Sequence, residues 1–148
     1  MFKFTAIEES NEYLGFEEGE ECYSINIEYV QEIIILPPIT RIPNSPRYVE
    51  GAINLRGKVI NVINLRRRLD LPWRPFDVNT RVLILNHEDT SLGMIVDRVL
   101  EVFKIEKNQK VDIPKLLRSE EGIAYANNVI KNELGLFINL DFPNLGGD

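Results

Sequence analysis

The sequence predicts an all-β chain, built as a sandwich or as a pair of small barrels. Three observations carry that reading. Apolar segments are short, rich in Ile and Val, and bounded by turn residues about every ten positions. Helical stretches are few and brief. The chain also repeats itself internally.

Taken in order, an N-terminal strand falls near residues 12–17. Strands follow at Tyr23–Ile27, Glu32–Leu36, Ala52–Leu55, Lys58–Ile63, Arg81–Asn86, Leu92–Val96, Glu101–Ile105 and Gly135–Asn139. Turns are expected at Glu18-Gly19-Glu20, Arg56-Gly57-Lys58 and His87-Glu88-Asp89-Thr90. Between Asn44 and Gly51, a capping Ser45, a first-turn Pro46 and a terminating Gly51 suggest a short helix. A second helix is expected from Leu65 to Leu69, before Pro72, and a third near Ile113–Leu117.

The repeat lays Ser24–Ile33 on Gly93–Val102 without a gap, at a constant offset of 69 (93 − 24). Ile25, Ile27, Val30 and Ile33 match Met94, Val96, Val99 and Val102, while Glu28 and Glu32 match Asp97 and Glu101. Further on, Ile42-Pro43 matches Ile113-Pro114, Glu50-Gly51 matches Glu121-Gly122, and Ile63-Asn64-Leu65 matches Ile138-Asn139-Leu140. One domain over residues 1–148 is expected, with subdomains at roughly 22–72 and 80–141. Units of about 50 residues are too small to be secure alone, so the two should share an interior. A groove at their seam is the natural place for a partner.

Composition narrows the function. The 148 residues carry a net charge of −6, with early acids at Glu8, Glu9, Glu12, Glu17, Glu18, Glu20 and Glu21, which argues against nucleic acid. The one basic run, Arg66-Arg67-Arg68, reads as a solvated helix face. A single cysteine, Cys22, forms no internal disulfide framework. The longest apolar run, Ile33 to Ile39, contains two prolines and is far below the ~20 residues that span a bilayer. A cytoplasmic protein without direct membrane insertion is expected.

Enzymatic chemistry has no motif to carry it, and the 23 carboxylates read first as a solvated surface and only second as a paired acid/base site. His87 is the only imidazole and reads as an exposed turn residue, far in sequence from Cys22, so neither a zinc site nor a His-activated nucleophile is expected. No P-loop, G-x-G-x-x-G or G-x-S-x-G motif occurs. What remains is a polar cluster inside apolar strand sequence, Asn54-Leu55-Arg56-Gly57. Gly57 can take φ > 0 and reverse the chain. Arg56 would then offer fixed donors to a carboxylate, with Glu32 the nearest candidate, or stand exposed without a partner.

The blocks Ile39-Thr40-Arg41-Ile42-Pro43-Asn44-Ser45-Pro46, Val49 to Ile60, Val62 to Arg66 and Leu92 to Val99 together resemble the signature of the CheW family of chemotaxis adaptors. The resemblance runs from about Glu12 to Asp141. It implies two five-stranded, SH3-like β-barrels packed about a pseudo-twofold, with a few short helices, no cofactor, no metal and no catalytic residue. It also implies two partners: the regulatory domain of the histidine kinase CheA, and the cytoplasmic hairpin tip of a chemoreceptor (methyl-accepting chemotaxis protein). By family pattern Val30 and Gly51 match kinase-contact positions. Glu32, Asn54, Arg56, Gly93, Val99 and Val102 match receptor positions, with Glu32 and Arg56 as an ion pair. The chain departs from the pattern at Asn61, Asn64 and Asn128, which replace Pro, Asp and Gly; Asn128 can still enter a left-handed conformation. It also departs after Leu140, where Pro143 and Gly146-Gly147 oppose a terminal helix. Two alternatives stand beside chemotaxis: an adaptor in another kinase pathway, such as surface motility or development, and a barrel holding a small molecule or nucleotide in the seam. The second requires polar pocket-facing residues, where the groove positions inferred here are Gly and Val.

Overall fold

The computed structural model describes residues 11–106, 110–112 and 126–142. Its strands are β1 (Glu12–Glu18), β2 (Glu21–Asn26), β3 (Val30–Ile35), β4 (Val49–Leu55), β5 (Lys58–Asn64), β6 (Arg81–His87), β7 (Thr90–Val96), β8 (Arg98–Lys104), β9 (Lys110–Asp112), β10 (Ala126–Asn132) and β11 (Gly135–Leu140), with a short α-helix, α1 (Leu65–Arg68), and a 3-10 turn at Ile27–Tyr29. They form a six-stranded sheet in the order β8-β1-β2-β11-β10-β9 and a five-stranded sheet in the order β3-β6-β7-β5-β4.

The two orders are the same order. Adding 69 (81 − 12) carries β1, β2 and β3 onto β6, β7 and β8, and adding 77 (135 − 58) carries β4 and β5 onto β10 and β11. Each pairing then maps onto a pairing of the same sense: β1–β2 onto β6–β7, β1–β8 onto β6–β3, and the parallel pair β2–β11 onto β7–β5. Even the register survives, since Val62 faces Gly93 as Asn139 faces Ser24. Two of the letter matches are therefore corrected. Ile63 corresponds to Leu140, two positions beyond Ile138; a slip of two keeps every side chain on its face, so alternation cannot reveal it. Gly51, at the β4 bulge, corresponds to Asn128 at the β10 bulge. Residues 121–122 lie outside the described residues. Asn128 holds its bulge without a positive φ.

The repeat units are units of chain, and the sheets mix them. Each unit lends its third strand to the other unit's hairpin, so β3 pairs with β6 and β8 with β1. This exchange explains the central strands. Along β6, Leu83 and Leu85 face a cluster shared by both sheets, with Leu14, Phe16, Tyr23, Ile25 and Leu140. Val82 and Ile84 turn the opposite way, into a cluster with Ile53, Ile60 and Ile95. The six-stranded sheet has the equivalent private cluster, where Tyr13, Ile130 and Phe137 stand in for Val82, Ile53 and Ile60. Each sheet thus wraps its own core and both back onto a third, the SH3-like double arrangement expected.

Other expectations change in detail. Residues 44–48 form turns instead of a helix. Asn44 sits at φ 61, and the Ser45 hydroxyl donates back to the Ile42 carbonyl at 2.8 Å instead of capping. Asn54 accepts from the Gly57 N–H at 2.8 Å, and Arg56 and Gly57 take φ 51 and 87, the two-residue turn with positive φ at both central positions. β10 escaped sequence reading because Asn and Lys dominate it and its pairing overrides their low strand propensity. The possible helix near Ile113–Leu117 and the chain after Phe142 lie outside the described residues.

The basic run is no solvated face. Arg66 is buried, and the Arg68 guanidinium lies 4.0 Å from the centre of the Tyr48 ring. Arg66 donates to Asp97 Oδ2 at 2.5 Å and to the Pro72 carbonyl at 2.7 Å. The Gly19 N–H reaches the same Asp97 oxygen at 2.9 Å. Glu18 completes the joint, 1% exposed, accepting from the Asp97 N–H at 3.3 Å. Arg66 also stands 3.5 Å from Glu18, but its charge is taken by the nearer Asp97. Burial, then the hydrogen bond and charge of Asp97, push the Glu18 carboxyl up to about 9. Burial also pushes Asp97 up, yet hydrogen bonds from Glu18, the Gly19 amide and Arg66 outweigh it and hold Asp97 below its ordinary value. Glu18 is the proton-bearing partner.

A pH dependence follows. Between the ordinary 4.5 and about 9, native Glu18 holds a proton that the unfolded chain releases, so stability falls as pH rises through that window. Asp97 acts oppositely, adding stability above the usual carboxylate range that is lost on acidification. In urea denaturation between about pH 5 and 9, Glu18→Gln should flatten the decline by supplying a permanently neutral group of the same shape. Parallel declines in wild type and variant would place the proton elsewhere.

Candidate functional site

Glu32 and Arg56 form the expected ion pair. Arg56 projects from the β4–β5 turn and Glu32 from β3, the two opposite edges of the five-stranded sheet, so the pair links edge to edge. It is bidentate: one guanidinium nitrogen donates to Glu32 Oε1 at 3.3 Å and the other to Oε2. Its hydrogen bond to Glu32, then the carboxylate charge, raise the Arg56 pKa further above its ordinary value. The guanidinium stays in water, with the Arg56 side chain 66% exposed. An exposed pair of this kind adds little to folding. What it does is hold a planar five-donor group in one orientation at the surface.

The duplication supplies an internal control. The counterparts of Glu32 and Arg56 are Glu101 and Glu133, two acids that cannot pair. They line an open cleft of roughly 350 Å³ beside Val102, Phe103 and Leu134. The six-stranded sheet makes the same hairpin with two acids at these positions, although β9 there adds a strand outside β10. The pair is therefore not required by the fold.

Exposed apolar residues lie on the outward faces of the same strands and of their counterparts. Ile33 and Ile35 on β3 and Val59 on β5 are 41%, 75% and 72% exposed. Val102 and Leu136, counterparts of Ile33 and Val59, are 47% and 60% exposed, so the exposed positions too come in equivalent pairs. Ile33, Ile35, Val59 and Leu136 were missed as site candidates. Three consecutive isoleucines do not reveal which faces outward, and only the alternating burial of β3 does.

The chain is matched by the CheW-like domain family model over residues 12–145. It belongs to the CheW family. It is 34% identical to the chemotaxis protein CheW of Treponema pallidum over 142 residues, 93% of this chain and 83% of that protein. It is 31% identical to CheW of Thermotoga maritima over 134 residues, 90% and 86% of the two chains. Among solved structures, the scaffolding protein TtCheW of Thermoanaerobacter tengcongensis superposes with a TM-score of 0.82 at 31% identity, covering 89% of each chain. Chemotaxis adaptor and scaffold are the family's terms.

The remaining residues suggested by the family pattern fall in three places. Glu32, Asn54 and Arg56 gather at the β4–β5 turn, where Asn54 shapes the turn. Val30 and its counterpart Val99 are both half-buried against the shared core, while Val102 is exposed on β8 of the other sheet. Gly51 and Gly93 are buried and present no surface to a partner. Gly51 has φ 154 at its bulge, rather than ending a helical turn. A Cβ there would overlap the Thr40 carbonyl oxygen and stand 2.7 Å from Ile39 Cγ2. Gly93 lies mid-sheet between Val62 and Ile84. Its Cβ would meet Val62 and Val82 methyls at 3.0 and 3.2 Å, so an arginine there enters a core and fills no groove. His87 is likewise no free turn residue: its ring packs edge-on at 5.3 Å from Tyr29 and 6.3 Å from Phe142.

These placements predict a loss of stability at both glycines. Gly51→Asp should cost roughly 1–3 kcal/mol through forced backbone and contact strain. Gly93→Arg should cost more, since overpacking alone takes about 1–3 kcal/mol and a buried unpaired charge adds to it. Thermal melts should show both losses, with all partner binding falling together. A Gly93→Arg protein that melts like wild type yet loses one partner would put that glycine back on the surface.

Proposed function

We propose that this chain is a non-catalytic coupler that holds the cytoplasmic tip of a chemoreceptor against the regulatory domain of the histidine kinase CheA. It would work in the cytoplasm, at receptor arrays reached through its partners. Membership of the CheW family and likeness to a scaffolding protein support the general role. The observation that carries the site assignment is the one-sided ion pair. A fold that builds the same hairpin twice pairs Glu32 with Arg56 in one copy only, and leaves the guanidinium exposed. Such a group is suited to a second carboxylate or a backbone carbonyl at the end of a receptor helix. Val102 on the other sheet supplies apolar surface for receptor contact, with Val99 half-buried beneath that face. Val30 and the outward isoleucines of β3 offer a separate apolar edge for the kinase domain.

The test is Arg56→Glu, which sets like charges together at an exposed position. Its melting temperature should stay near wild type, and it should capture a receptor hairpin fragment at least about tenfold more weakly. Capture of the kinase regulatory domain should persist. The swap Glu32→Arg/Arg56→Glu restores an ion pair in reverse; it should restore any lost stability without restoring receptor capture. A large drop in melting temperature would mark the pair as structural. Undiminished receptor capture would remove Arg56 from the site.

A further inference from the structure

A polar cleft of about 300 Å³ lies between the 41–47 loop and the start of β4, with Arg67 of α1 in its wall. Here the charge of the molecule reverses. The chain as a whole carries −6, but the ionisable groups lining the cleft are Arg41, Arg47, Arg67 and a single acid, Glu50. That acid is already engaged: Glu50 Oε1 accepts from Asn64 Nδ2 at 3.1 Å and lies 3.9 Å from Arg67. Arg67 also donates to the Arg47 carbonyl at 3.4 Å. Among the described residues, no carboxylate is salt-bridged to Arg41 or Arg47.

The loop is pinned in place. Thr40 and Ala52 exchange two backbone hydrogen bonds, at 2.9 and 2.8 Å, and the Val49 N–H donates to the Pro46 carbonyl at 3.0 Å. With Pro43, Pro46 and the left-handed Asn44, the backbone that carries the two free guanidinium groups has little freedom to lose on binding.

We propose that this cleft binds an acidic segment of a protein partner, with Arg41 and Arg47 each gripping a carboxylate. A planar guanidinium and a carboxylate match as parallel two-bond forks. A phosphate cradle would use a nest of backbone N–H groups, and this loop is poor in them. Two of its residues are prolines, the Val49 N–H is taken by Pro46, and the Ser45 hydroxyl is turned toward the Ile42 carbonyl. The proline and valine walls leave room for apolar side chains beside the carboxylates. The proposal rests on the adaptor reading only in taking the ligand to be a protein.

The experiment uses the whole chain and a fluorescein-labelled twelve-residue peptide of alternating glutamate and alanine, followed by anisotropy. Wild type should bind it, more weakly as salt rises. Arg41→Glu/Arg47→Glu should weaken binding by roughly tenfold or more. A control of equal charge change, Arg98→Glu/Lys131→Glu, should stay within about twofold. All four side chains are exposed, so melts should match wild type; Arg41→Gln/Arg47→Gln replaces the reversal if they do not. Equal losses in the cleft and control variants would reduce the effect to net charge and overturn the proposal. Displacement of the peptide by an equal concentration of inorganic pyrophosphate would overturn it in favour of a phosphate site. No peptide binding by wild type, beside intact capture of receptor hairpin and kinase domain, overturns the cleft and leaves the adaptor reading standing. Selective peptide binding beside failed capture does the reverse.

Discussion

Everything in this molecule depends on strands that must be buried on both faces. β6 and β7 have apolar side chains pointing into two different cores, and β1 and β2 do the same in the other sheet. Neither hairpin can satisfy both faces from its own half of the chain. Each borrows an edge strand and a hairpin from the other half, so the shared core, the private cores and the strand exchange are one constraint seen three ways. A half-chain would expose unpaired strand edges as well as apolar surface. Neither half completes its sheet without strands of the other.

Within that frame the two halves solve the same joint with different chemistry. Glu18, at the β1–β2 turn, sits in the Arg66–Asp97 cluster; its counterpart His87, at the β6–β7 turn, sits among Tyr29 and Phe142. A buried ionic cluster and an aromatic one of similar volume are close in net stability, because desolvation of the charges offsets much of their attraction. The fold tolerates either. What differs is the chemistry: buried carboxyl and guanidinium groups at one turn, packed rings at the other.

The sequence made the architecture legible for a physical reason and hid parts of it for another. Ile and Val runs and the Gly57 turn mark strands locally, and the offset of 69 exposed the first three strands of the repeat because no insertion interrupts them. The offset of the last two strands was hidden because the second half carries the extra chain around β9, and a slip of two residues leaves alternation intact. The short helix expected at 44–51 failed because its capping letters serve turns, and long-range pairing of Thr40 with Ala52 decides the backbone there. Glu32 and Arg56 were legible as opposite charges near a turn and in a family pattern. Gly51 and Gly93 carry the same pattern, yet pattern alone cannot separate a residue that touches a partner from one that lets the core close. Only the contacts of a hypothetical Cβ separate them.

A pseudo-symmetric adaptor faces a particular difficulty: identical faces would bind identical partners. Here the backbone symmetry is close, down to the parallel register, so discrimination must reside in side chains. The departures lie where that argument requires them. An oriented guanidinium stands at one sheet's closing edge, and two carboxylates stand at the equivalent place on the other. Apolar residues occupy matching exposed positions on both sheets and give contact without choice. Charge then supplies the choice, because a like charge brought against either edge is repelled where the opposite charge is drawn in. Duplication gives the molecule two equivalent hairpins at no cost in new fold, and a handful of charge changes is enough to make them different.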